Sequence, residues 1–167
     1  SQSMLFADEA EQGNLSFESE KHLIQDQELI ILNLISLDKS NFDMNQVLTL
    51  LKNLNGNHAE GFFIYRDLRG IETFRVASGI NPGLLELETE THVLLLAIDL
   101  HQVTDPINAF ETMLELASNI AEKLHASICN SARAPLSKQM IEHFKSKAQE
   151  IGHLQSIKNF SKNEENK

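Results

Sequence analysis

The side chains able to do covalent or metal chemistry are scattered along this chain. Its seven histidines stand at positions 22, 58, 92, 101, 125, 143 and 153, and none takes part in an HExxH pair or a Cys/His cluster of metal-ligand spacing. The single cysteine, Cys129, ends a short β-prone run, where a small buried side chain explains it better than a nucleophile does. GxSxG, P-loop and GxGxxG signatures are absent, and the acids of "LELETE" fall in a segment without periodicity, which reads as a solvated loop. No catalytic set, metal site or cofactor motif is read here. The spacing that does add up is apolar. In "ELIILNLISL", residues 28–37, Leu29 and Ile31 share one face of a strand and Ile30, Leu32 and Leu34 the other, so both faces of that strand need a cover.

The elements that position these residues follow from periodicity. Strands are expected near 27–36, 62–66, 72–78 and 92–100, with a short one at "ASICN". Asp43 caps a helix over 44–54, buried through Val47, Leu48, Leu51 and Leu54. Asp105-Pro106 starts a helix over 106–124, and Ser137 one over 138–151. "NGNHAEG" ends the first helix, "DLRG" turns a hairpin, and "NPG" suits a type II turn with Pro82 and Gly83 at its centre. The order β-α-β-β-β-α-β-α implies an α+β domain of split β-α-β type: a mainly antiparallel sheet, three helices on one face, the other face bare.

A bare face is normally polar, and here it is not. Arg75 alternates with Phe74 and Val76, so Arg75 and Ala77 point outward; Phe62 and Ile64 share parity with Arg66; Leu29 and Ile31 share parity with Asn33. In the fourth strand Leu94, Leu96 and Ile98 form one set and Val93, Leu95, Ala97 and Asp99 the other, and parity alone leaves both open. Leu29, Ile31, Phe62 and Ile64 make an outward patch on the order of a few hundred Å², the size that marks an interaction surface. A covering N-terminal segment or a second copy of the chain is the plainer explanation of such a patch.

Composition narrows the partner. The 167 residues suit one ordinary domain with a real core, being 41% hydrophobic. A net charge of −10 argues against nucleic acid and anionic membranes and favours a basic or apolar partner. Surface aromatics on a split β-α-β sheet suit RNA binding, but the basic-aromatic motif for it is missing. One cysteine excludes a disulfide framework and fits a reducing compartment; no run of ~20 apolar residues is present to span a bilayer. Residues 1–25 and 153–167 read as disordered termini around a domain at 26–152, and the Ser-Gln-Ser before Met4 reads as an added leader on an excised domain.

The pieces "ILNLISL", "GFFIYRDL", "VASGINPG", "NAFETMLELASNIAEKLHASI" and "PLSKQMIEHFK" occur in an order and spacing that resembles the C-terminal domains of the bacterial cell-division protein ZipA, over about Gln27 to Ile151. The resemblance implies a non-enzymatic, monomeric domain without cofactors. Its bare sheet face would carry a shallow apolar groove for the C-terminal tail peptide of FtsZ, which mixes apolar anchors with basic residues. It implies a full-length protein that tethers FtsZ polymers at the cytoplasmic face of the inner membrane through an N-terminal anchor. Carried over by position, the groove residues are Leu29, Ile31, Asn33, Phe62, Ile64, Arg75, Ala77, Gly79 and Leu96, with Leu94 or Ile98 as alternatives to Leu96. Phe62 and Gly79 stand where family members can carry methionine, and Gly61 where they carry an acid, beside Glu60. The rival reading is a small-molecule-binding regulatory domain of ferredoxin-like type, for which Asn33 and Arg75 are the main outward polar groups.

Overall fold

The computed structural model describes residues 27–166. The N-terminal segment read above as disordered lies outside them. The described elements are, in chain order, β1 (Leu29–Ser36), α1 (Met44–Asn53), β2 (Asn57–Ala59), β3 (Phe62–Arg66), β4 (Glu72–Ser78), β5 (Val93–Asp99), a 3-10 turn (Leu100–Gln102), α2 (Pro106–Leu124), β6 (Ala126–Cys129) and α3 (Lys138–Glu165). The strands form one sheet in the order β2-β3-β4-β5-β1-β6 with every pair antiparallel. α2 carries the chain from β5 to β6 on opposite sides of β1, which is the split β-α-β connection.

One face of the sheet is roofed by helices. Ile30, Leu32 and Leu34 of β1 pair in register with Ile98, Leu96 and Leu94 of β5, and Val76 and Phe74 of β4 continue the row to Phe63 and Tyr65. These side chains form one buried cluster with Val47 and Leu51 of α1 and Phe110, Met113, Ala117 and Ile120 of α2. Each large apolar side chain so buried contributes about 1.5–3 kcal/mol. Tyr65 donates its hydroxyl to Leu51 O at 3.1 Å, and its burial pushes that hydroxyl's pKa well above the usual tyrosine value. α3 packs on α2, with Phe144 edge-on to Phe110, and buries Ala148 and Ile151.

The helix starts follow the sequence closely. Asp43 accepts from the Asn45 and Gln46 amides, Asp105 from Asn108 ahead of Pro106 at the first turn, and Ser137 from Met140. Three features differ from expectation. Residues 57–59, read as part of a helix-ending loop, form the edge strand β2; its three residues are too short to show alternation. The turn after β4 spans residues 80–83, because Gly83 N donates to Ile80 O at 2.7 Å; the Asn81-Pro82 peptide at its centre is cis, so it is a type VI turn rather than type II. Finally, α3 does not stop at 151 but continues through Glu165. No proline or glycine-asparagine stop follows Gly152, and Leu154, Gln155, Lys158, Lys162, Glu164 and Glu165 all favour a helix.

Candidate functional site

The outer face of the sheet is fixed by the same registers. Leu29 lies opposite Asp99 and Ile31 opposite Ala97; Ala97 in turn faces Arg75, and Leu95 faces Ala77. Arg75 lies opposite Ile64, and Phe62 follows two residues away on the same side. Among the described residues no helix covers the centre of this face. It holds an open groove of about 490 Å³. Leu29, Phe62, Ala77, Leu95 and Ala97 give the groove its apolar surface, Pro82, Gly83 and Leu84 line it from the loop after β4, and Glu60, Glu72, Asp99 and Gln102 add polar groups.

Local structure explains why Leu84 stands there. Glu60 and Gly61 both have positive φ (55° and 88°), the signature of a two-residue type I′ hairpin between β2 and β3. Gly61 O accepts from Leu85 N at 2.6 Å, and the His58 ring nitrogen meets Leu85 O at 2.8 Å while the ring packs on Phe63. Leu85 is thereby buried, and its neighbour Leu84 is left 39% exposed against the groove. A Cβ on Gly61 would sit 2.5 Å from Leu84 Cδ2, so glycine is needed both for φ and for space.

The charge is lopsided. Arg75 forms a fork with Glu72, Nε to Oε2 at 3.0 Å and Nη2 to Oε1 at 2.9 Å, and its guanidinium lies 4.8 Å from the Phe62 ring centre. Asp99 accepts from the amides of Glu28 and His101. With Arg75 neutralised by Glu72, Glu60 and Asp99 leave the groove net negative. An apolar surface with acids beside it suits an amphipathic ligand carrying positive charge.

Of the residues singled out by sequence, Leu29, Phe62, Arg75 and Ala77 line this groove. Ile31 and Ile64 lie on the same face, half-buried, without lining it. Asn33 has the outward parity but is fully buried; its Nδ2 donates to Asn130 O at 2.9 Å. Gly79 is buried as well, and its carbonyl accepts from Arg133 Nη2 at 3.0 Å. The turn at 130–135 thus closes that end of the face. Leu96 is a correction: it is fully buried between Leu32 and Val76 on the helix-covered side, as are Leu94 and Ile98. β5 is apolar on both faces, so its hydrophobic pattern carried no parity. Asp99 carried it instead, since the set containing the polar residue, Leu95-Ala97-Asp99, is the outward one. Leu84 and Pro82 were missed because loop residues have no face until the loop is folded, and Glu60, noted only as the neighbour of Gly61, lines the groove.

Among the described residues no three His, Cys, Asp or Glu side chains gather as a metal site. Cys129 is buried beside Ser127, 3.7 Å from Sγ to Oγ. No helix among them is long and apolar enough to cross a membrane.

Comparison with known proteins bears on the groove. The family model described as "ZipA, C-terminal FtsZ-binding domain" matches residues 28–147. The chain is 31% identical over 93 residues to the cell division protein ZipA of Colwellia psychrerythraea, a match covering 53% of this chain and 24% of that protein. It is 25% identical over 141 residues to ZipA of Pseudomonas putida, covering 80% of this chain and 48% of that protein. The matches therefore span between a quarter and a half of these relatives' lengths.

Proposed function

This chain belongs to the family of ZipA C-terminal FtsZ-binding domains, a non-enzymatic cell-division family, and we propose that it binds the C-terminal tail peptide of FtsZ in the groove on the outer sheet face. The observation that carries the reading is the groove itself: an apolar surface of Leu29, Phe62, Ala77, Leu95 and Ala97, bounded by Leu84 and flanked by Glu60 and Asp99. The tail lays its apolar side chains on that surface and turns its basic residues toward the acids. Apolar burial contributes about 25 cal/mol per Å², so a few anchors give several kcal/mol gross. Ordering a flexible tail takes much of that back, which sets the expected Kd on the order of 10 µM. Weak single contacts suffice where FtsZ polymers present many tails to many tethered domains. In the whole protein this domain acts as a monomer that holds FtsZ polymers at the inner membrane through an anchor outside this domain; neither nucleic acid nor a cofactor takes part.

The test is titration of labelled FtsZ tail peptide into the wild-type chain and the Leu29→Ala, Phe62→Ala double variant, read by fluorescence anisotropy. The variant is expected to bind at least about tenfold more weakly. Equal affinity with an unchanged circular dichroism spectrum rejects the groove as the binding site.

A further inference from the structure

The far end of α3 presents a second unpartnered apolar surface, independent of the groove. Ile151 is the last buried residue of that helix. Beyond it Leu154, Ile157 and Phe160 recur every three residues along one flank, and they are 49%, 49% and 68% exposed. At the base of this stripe lies a cleft of about 300 Å³ lined by Glu28, Lys147, Leu154 and Lys158 among others. Glu28 meets Lys147 Nζ there at 3.8 Å. The described chain begins at Gln27, the residue before Glu28 of this cleft.

We propose that residues 1–26 of this chain dock on the Leu154-Ile157-Phe160 stripe. Three arguments favour this occupant. The segment carries six acids against one lysine, Lys21, and Lys158 and Lys162 flank the stripe, with Glu164 and Glu165 beyond Phe160 and Lys147 already paired with Glu28 and Glu150. It also carries apolar anchors, with Leu23 and Ile24 only three or four residues before Gln27 and Phe17 further back. The distance is short: residues 152–165 of a helix span about 20 Å, which roughly six extended residues cover. The sheet groove is the poorer place for this segment, since its acids would face Glu60 and Asp99. A second copy of the chain is also the poorer fit. Three side chains fall well short of the ~800 Å² per partner of a standard interface.

The full-length chain with a nitroxide on Ser161→Cys tests this by NMR; Cys129 is buried and so is spared from labelling. Broadening of amides at 15–26 supports the proposal. Broadening restricted to residues around the label, with 15–26 unaffected, overturns it. Amide exchange on the unlabelled full chain gives a second readout: in the Ile157→Glu, Phe160→Glu variant, exchange at 22–26 is expected to speed up about tenfold. These positions are exposed, so the variant keeps its fold. Protection at 22–26 that is indifferent to this variant but lost on Leu84→Glu places the segment in the groove and overturns the proposal. So does a concentration-dependent dimer in sedimentation that Phe160→Glu dissolves.

Discussion

The outer face of one sheet has two ends that share strands and differ in what closes them. At one end Ala77 and Ala97 lie half-buried in the groove beneath Leu84, with Leu95 buried at its floor. At the other, Asn33 and Gly79, one strand step further along β1 and just past β4, are tied to the 130–135 turn by Asn33–Asn130 and Arg133–Gly79 hydrogen bonds. The closed end uses polar contacts to backbone, which are specific and saturated. The open end keeps an apolar surface, and its polar contacts, Arg75 with Glu72 and Asp99 with the Glu28 and His101 amides, are internal. A surface meant to stay empty would be polar; this one is kept apolar while its neighbour is sealed, and that contrast defines the groove's limits.

The largest expected effect separates the two faces at adjacent residues. Leu96→Ala is expected to destabilise by about 3 kcal/mol in urea unfolding, because it empties a core position, whereas Ala97→Ser costs under about 0.5 kcal/mol. Similar costs for both would mean that the parity of β5 is wrong. Next, Asn33→Ala should cost about 1 kcal/mol through the loss of a buried hydrogen bond, while Asn130 O keeps its bond from Arg133 N, and leave peptide affinity unchanged; lost affinity would merge the two ends into one site. Gly61→Ala, at φ 88° and against Leu84, should cost about 1 kcal/mol and weaken peptide binding several-fold as Leu84 is pushed aside, measured by anisotropy beside thermal melts.

The smallest effect lies remote from both ends, at Asp38. Hydrogen bonds from the Ser40 side chain and amide, and from the Ser36 hydroxyl, lower its pKa from 3.8 to about 2. A carboxylate depressed in the folded state stabilises it fully above its ordinary pKa and loses that contribution as the pH falls through about 2. NMR titration should place the Asp38 midpoint near 2 while peptide affinity at neutral pH stays the same in Asp38→Asn.

Most of the sheet and its helix starts were legible because they rest on local rules. Asp43, Asp105 and Ser137 cap as their residue types dictate, and Arg75 fixed the parity of β4. The rules failed where local sequence is degenerate or the information is tertiary. An all-apolar β5 hides its parity from periodicity. Asn33 looks like any outward polar residue until the 130–135 turn folds over it. Leu84 becomes a groove wall only through the Leu85 bond to Gly61, a contact 24 residues away in sequence. The last helix, expected over 138–151, runs on through Gly152, whose would-be Cβ lies 3.7 Å from Pro106.

Leu29 begins β1 and also lines the groove, so any tether attached ahead of it pulls at the lip of the binding surface. β1 runs between β5 and β6 inside the sheet, bonded to β5 along its length and to β6 at its far end. Tension arriving through residue 28 is therefore loaded onto an interior strand, across many hydrogen bonds at once, rather than peeling an edge.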